Sequence, residues 1–131
     1  MKNFLFLVIA FFAIQIGSAQ ATTKVESDSI YNTAGLEVKP DFPGGIGEFY
    51  KYFAKNYRTP NVKRLNGKVY VTFVIERDGS IVDIKVLRDI GYGTGEEAIR
   101  VLNKSPKWIP GEQDGKRVRC SFTLPITVDT R

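Results

Sequence analysis

The stretch Gly67–Arg88 constrains the fold of this chain most, because it predicts a long β-hairpin. Two runs rich in β-branched and aromatic residues flank Asp78-Gly79, and Asp-Gly between such runs favours a hairpin because glycine reaches positive φ without steric cost. The first run, Val69–Ile75, is apolar on both faces, which is typical of a central strand. The second run alternates, as a half-exposed strand near a sheet edge does. Its apolar face is predicted to hold Val82, Ile84 and Val86.

Two segments with the period of an amphipathic helix surround this hairpin. Residues Ile46–Asn56 repeat apolar side chains at every third or fourth position, and Pro60 prevents the helix from continuing. After the hairpin, Thr94 and Glu97 have the spacing of a capping box, in which each side chain bonds the other residue's backbone N–H. We therefore expect a second helix that starts at this box and ends before Pro106.

The last predicted strand, Arg117–Val128, alternates apolar and polar side chains, and Leu36–Val38 is a candidate short strand. The expected fold is an α+β, two-layer domain of order (β)αββαβ, with two helices on one face of a three-stranded antiparallel sheet. A crossover through the second helix places the last strand beside the first hairpin strand, which gives the sheet order 2-1-3. The last strand is then an edge, with backbone N–H and C=O groups open to another chain.

The N-terminus has the features of a cleaved export signal. Lys2 precedes the apolar run Phe4–Ile14, and small residues follow it before a predicted cleavage at Gln20. An uncleaved membrane anchor is the alternative, but as a helix the apolar stretch would reach only about 20 Å, against a hydrocarbon core of about 30 Å. We expect a signal peptide over residues 1–19, a flexible lead-in over 20–34 and one exported domain over 35–131.

The composition argues against an enzyme. The chain has no histidine, which removes the commonest general base, and its one cysteine, Cys120, falls on the inward side of its strand. No carboxylates have the spacing of metal ligands, so we expect no catalytic residue, metal or cofactor. Tyr70 is predicted to lie on the helix-free face of the sheet, where RNA-binding sheets carry aromatic residues. The chain lacks the sequence motif of such sheets, so nucleic-acid binding is not expected. Trp108 is predicted to anchor a loop against the core, with a partner contact as the alternative.

Six short segments carry a resemblance to a known family. They are Phe42–Gly45, Gly67–Ile75, Asp78–Ile81, Glu97-Ala98, Pro106–Gly111 and Phe122–Ile126. In this order and spacing they resemble the C-terminal domain of the TonB energy-transducer family, over about residues 37–128. The resemblance implies a non-enzymatic domain that binds the N-terminal box of TonB-dependent outer-membrane receptors by strand addition. It also implies energy-coupled transport, with inner-membrane motor proteins of the ExbB/ExbD type acting through another subunit.

By this resemblance, the partner-binding residues lie on the last strand and in the loop after the first helix. They are Arg117, Arg119, Ser121, Thr123, Asn56, Tyr57 and Arg58. A complete transducer has an uncleaved membrane helix and a long proline-rich linker, whereas the lead-in over residues 20–34 would span only about 20–25 Å as a coil. We therefore expect a free-standing periplasmic domain. The alternative function is that of an envelope adaptor that binds peptidoglycan or another periplasmic protein. Pairing of two copies of the chain through their edge strands is a further possible interaction.

Overall fold

The computed structural model describes residues 28–131. The predicted signal peptide over residues 1–19, and residues 20–27 of the predicted lead-in, lie outside the described residues. The elements in chain order are β1 (Ile30–Asn32), a 3₁₀ turn (Thr33–Gly35), α1 (Ile46–Asn56), β2 (Asn66–Ile75), β3 (Ile81–Arg88), α2 (Thr94–Asn103), β4 (Gly111–Gln113) and β5 (Lys116–Asp129). The predicted α+β class with two helices is confirmed. Neither helix in this part of the chain is long and apolar enough to cross a membrane.

The strands form a mixed five-stranded sheet in the order β1-β5-β2-β3, and β4 pairs with the start of β5. β2 is central and antiparallel to both β3 and β5, as its two apolar faces predict. The predicted three-stranded antiparallel sheet of order 2-1-3 is wrong in detail, because β1 and β4 extend it and β1 runs parallel to β5. Both added strands have only three residues and no alternating apolar pattern that would reveal them.

The start of the folded region lies inside the stretch predicted to be a lead-in. Ile30–Asn32 pairs with residues 119–121 of β5, and the Thr33 hydroxyl donates to the Ser121 carbonyl. At the 3₁₀ turn the chain leaves the sheet edge, and the next residue, Leu36, packs in the core with 7% exposure. The folded part therefore begins before residue 35. Val38 forms only an isolated bridge, so the predicted strand at 36–38 is not present.

Helix α1 spans Ile46–Asn56, the range that its apolar period predicts. It buries Phe49 and Phe53 against the sheet. Trp108 packs on this layer with 3% exposure, and its ring centroid lies 5.1 Å from that of Phe49 and 5.6 Å from that of Phe73. The prediction that Trp108 anchors its loop against the core is confirmed.

Helix α2 starts at Thr94, but the predicted capping box is wrong. The N-cap is Gly93 at φ 74°, and it has no side-chain cap. The Thr94 hydroxyl donates instead to the Gly91 carbonyl at 2.7 Å. The Glu97 carboxylate turns away from the helix start and accepts hydrogen bonds from Arg100. Thr94 therefore bonds the preceding loop and Glu97 bonds Arg100 one turn later in the same helix, and neither side chain bonds the other's backbone.

Strand β3 contains bulges that change which side chains face the core. Its pairing with β2 shifts register twice, and Asp83 has a left-handed φ of 52°. Ile81, Ile84 and Val86 pack against the core, whereas Val82 does not. The prediction that Val82 shares a face with Ile84 and Val86 is wrong, because the extra residue at the bulge reverses the alternation between them.

Candidate protein-binding edge

Among residues 28–131, strand β5 has a long stretch with no partner strand on one side. Its residues 120–129 pair with β2 residues 66–75 without a register shift. On the other side, called here the outer side, β1 covers only residues 119–121. Within residues 28–131 no strand pairs with the outer side of Phe122–Asp129, so this stretch is called the open edge. It exists because the 3₁₀ turn after β1 removes the chain from the sheet at this point.

Two side-chain hydrogen bonds fix which backbone groups face outward. From β2, the Thr72 hydroxyl donates to the Phe122 backbone carbonyl at 3.1 Å. The backbone N–H and C=O of Phe122 therefore point toward β2. From the outer side, the Thr33 hydroxyl donates to the Ser121 carbonyl. The direction of the backbone N–H and C=O groups alternates from one residue to the next along a strand. In β5 the backbone groups of the odd-numbered residues therefore point toward the outer side.

The outward residues of the open edge include Thr123, Pro125 and Thr127. Pro125 has no N–H, and proline is tolerated in a sheet where the ladder needs no donor from it. Its presence agrees with an outward position. The open edge therefore offers the N–H groups of Thr123 and Thr127, with the carbonyls of all three residues, to an added strand.

The opposite edge of the sheet is protected against such pairing. β3 carries two register shifts and, at Asp83, a positive φ. Charged side chains follow along it at Lys85 and Arg88. Bulges and charges of this kind are the usual means of blocking edge-to-edge association. Of the two edges, only that of β5 presents a regular and uninterrupted stretch.

A groove of about 570 Å³ lies beside the open edge, between α1 and the C-terminal part of β5. Its apolar and aromatic lining residues are Tyr50, Phe53, Ala54, Tyr57, Pro125 and Ile126, and its polar ones are Thr59, Lys68, Thr127 and Asp129. The walls are thus mainly apolar and aromatic. A strand added to the open edge would lie along the mouth of this groove.

The aromatic wall of the groove is held in place by packing and one hydrogen bond. The Tyr57 ring stacks on Phe53 with centroids 5.1 Å apart, and its hydroxyl donates to the Thr94 carbonyl at 2.9 Å. Burial, followed by the nearby Glu97 charge, raises the pKa of Tyr57 to about 12. The hydroxyl therefore stays protonated, and able to donate, at neutral pH.

The end of α1 is tied to α2 by backbone hydrogen bonds to an ion pair that lies within α2. The Glu97 carboxylate accepts from Arg100 Nε at 2.8 Å and Nη2 at 2.6 Å, and from the Arg58 backbone N–H at 2.8 Å. Arg100 Nη2 also donates to the Asn56 carbonyl at 2.7 Å. These bonds, with the Arg100 side chain foremost, lower the pKa of Glu97. They hold Tyr57 and its neighbours at the groove.

The residues predicted for partner binding on β5 lie mostly beside the open edge and not on it. Arg117 faces Glu112 in the β4–β5 hairpin. The Arg119 guanidinium pairs with Glu76 at 2.6 Å, and β1 covers the outer side of Ser121. Thr123 alone of the four lies on the open edge.

The predicted loop residues divide in the same way. Tyr57 lines the groove, whereas Asn56 donates from its side chain to the Tyr52 carbonyl and the Arg58 N–H is bound to Glu97. Sequence reasoning missed Ala54, Pro125 and Thr127. A proline inside an alternating strand was the available signal for the open edge, since proline is restricted to edges and bulges.

Comparison with known proteins identifies one family. The family model described as Gram-negative bacterial TonB protein C-terminal matches residues 61–128, a little more than half of the chain. The match covers β2, β3, α2, β4 and all but the last residue of β5. The search of curated proteins finds no match. Among residues 28–131, no three His, Cys, Asp or Glu side chains are grouped as metal ligands would be.

Proposed function

The chain belongs to the family of Gram-negative bacterial TonB protein C-terminal domains, and we propose that it binds the N-terminal box of an outer-membrane receptor as a strand added to β5. Domains of this family are non-enzymatic protein-interaction domains of the cell envelope that serve energy-coupled transport. The observation that carries the proposal is the open edge itself: Phe122–Asp129 is regular and lacks an outer partner within the described part of the chain, while β3 is blocked.

The added strand would be held mainly by backbone hydrogen bonds. Thr123, Pro125 and Thr127 together offer about five outward donors and acceptors, and each bond contributes about 0.5–1.5 kcal/mol net. These backbone bonds are the same for any ligand sequence, and a strand held mainly by them dissociates readily. Under a pull along the strand, however, the bonds resist together, which suits a domain that transmits force. In this proposal the force comes from inner-membrane motor proteins through another subunit.

The proposed site of action is the periplasm, after cleavage of residues 1–19. Mass measurement of the protein isolated from a periplasmic extract tests this, because cleavage leaves Gln20 as the first residue. Recovery of the intact chain in the inner-membrane fraction would support an uncleaved anchor instead.

A peptide titration followed by amide chemical shifts tests the binding proposal. The probe is a peptide copied from the N-terminal segment of an outer-membrane receptor, added to residues 20–131. Saturable shifts are expected along Thr123–Asp129 and at the groove around Ala54, because both would contact the added strand. A peptide of the same composition with prolines at alternate positions is the control and should cause none. Pelleting with purified cell-wall sacculi, without any peptide-induced shift, would support the adaptor alternative.

A further inference from the structure

The groove beside the open edge is more apolar than backbone pairing requires. Tyr50 lies on the apolar stripe of α1 and still has 44% of its surface exposed, while Phe49 and Phe53 of the same stripe are buried. Ala54, also on this wall, is exposed. An apolar wall left open next to an unpaired strand indicates a place for apolar groups of whatever pairs there.

We propose that this groove is a side-chain pocket that selects the sequence of the bound strand, by taking apolar side chains such as leucine, isoleucine or valine at alternate positions. The inference rests on the proposed strand addition at the open edge. Side chains directly opposite each other on paired strands lie on the same face of the sheet. Ile126 faces the helix layer and is 6% exposed, so a ligand residue opposite it points into the groove.

The same geometry sends every second ligand side chain the other way. Ligand residues opposite Thr123, Pro125 and Thr127 would lie on the face that these exposed side chains share, opposite the face of the buried Leu124, Ile126 and Val128. The preferred ligand therefore has apolar residues at positions i and i+2, with a polar residue between them. A ligand with two adjacent apolar residues could place only one of them in the groove.

The length of the groove fits two such side chains. Its β5 lining extends from Pro125 to Asp129, which is about 13 Å at the usual rise of a strand. Residues i and i+2 of a strand are about 7 Å apart. The pocket volume of about 570 Å³ is also larger than a single aliphatic side chain needs.

Three synthetic ten-residue peptides of serine and threonine test the selection. The first has leucines at positions 5 and 7, the second has leucines at positions 5 and 6, and the third has alanines at positions 5 and 7. Each is titrated into residues 20–131, which include every helix and strand of the described part of the chain. We expect the first peptide to bind about tenfold more tightly than the second, which buries one leucine fewer, and about a hundredfold more tightly than the third, which buries two fewer, since burying most of one leucine side chain contributes about a factor of ten.

A variant that fills the groove gives the second arm. Ala54→Leu adds bulk to the groove wall at an exposed helix position where leucine is a good helix former, so folding should persist. It should abolish the preference for the first peptide. The matched control is Lys51→Leu on the same helix, because the Lys51 side chain is 78% exposed and does not line the groove. This control should keep the preference.

The outcomes distinguish a failure of the pocket proposal from a failure of the strand-addition proposal on which it rests. Equal binding of all three peptides, with shifts at Thr123 and Thr127, would refute the pocket and leave strand addition standing. A tenfold preference that persists in Ala54→Leu would also refute the pocket. The absence of shifts with every peptide would overturn the proposed strand addition, and the pocket proposal with it.

Discussion

Replacing Thr127 by proline tests the direction assigned to the backbone of β5. If the Thr127 N–H points outward, its removal breaks no bond of the β2–β5 ladder, and Pro125 two residues earlier already has this arrangement. We expect Thr127→Pro to cost about 1 kcal/mol of folding stability or less, a fall in melting temperature of about 4–8 °C or less. Receptor-peptide affinity should fall about 2- to 13-fold, the value of one net hydrogen bond, and further where the ring obstructs the added strand.

The matched control is Thr72→Pro on β2. This strand is paired on both sides, so its N–H lies in a ladder whichever way it points, and proline there should cost about 3 kcal/mol or more. Urea unfolding of both variants, with peptide titration of those that fold, makes the comparison. If Thr127→Pro is as destabilised as Thr72→Pro, the outward assignment is wrong and the reasoning about the open edge fails.

Three further predictions concern the scaffold of the site. Glu97→Gln should lower the free energy of unfolding by about 1–2 kcal/mol in urea titrations at pH 7, because it weakens charge-assisted hydrogen bonds; no change would show that the carboxylate is dispensable. The pKa of Tyr57 is raised from 10 to about 12, so its contribution to stability is full below pH 10 and is lost as pH rises from about 10 to 12; Tyr57→Phe should flatten this decline, and an unchanged slope would contradict the assignment. Gly79→Ala, at φ +89° with a Cβ that collides with the Trp108 carbonyl oxygen, should cost about 2–4 kcal/mol by thermal unfolding, whereas Gly115→Ala, also at positive φ but with open space, should cost about 1; equal costs would refute the collision.

The helices and long strands were predictable because their sequence patterns are strong. The apolar stripe of Ile46–Asn56 and the doubly apolar run Val69–Ile75 each admit one arrangement, and both appear as expected. The pairing of Thr94 with Glu97 failed because Arg100, one turn later in the same helix, and the Arg58 backbone N–H compete for the carboxylate. The contact with Arg58 depends on residues that only the fold brings together, whereas the pair with Arg100 has the i, i+3 spacing of neighbours on a helix surface.

The short strands β1 and β4 were not predicted, because their own sequences lack the pattern of a strand. β4 closes on β5 through Asp114-Gly115, the same Asp-Gly turn signal as in the first hairpin, with φ of 53° and 73°. Its flank Gly111–Gln113 has no alternating apolar residues, so the turn alone did not indicate a strand. The sequence of β1 does not indicate a strand, and β1 is recognised only from its pairing with β5 in the structure. Because β1 occupies Arg119–Ser121, the open edge begins later than the sequence suggested.

Amide hydrogen exchange along β5 tests the central claim most directly. In the free domain the inward N–H groups of Phe122 and Leu124 should exchange slowly and the outward ones of Thr123 and Thr127 quickly, because only the former are bonded to β2. Addition of the receptor peptide should slow exchange at Thr123 and Thr127 and leave their inward neighbours unchanged. Peptide binding that leaves both outward amides fast, or that protects β3 instead, would contradict strand addition at the open edge.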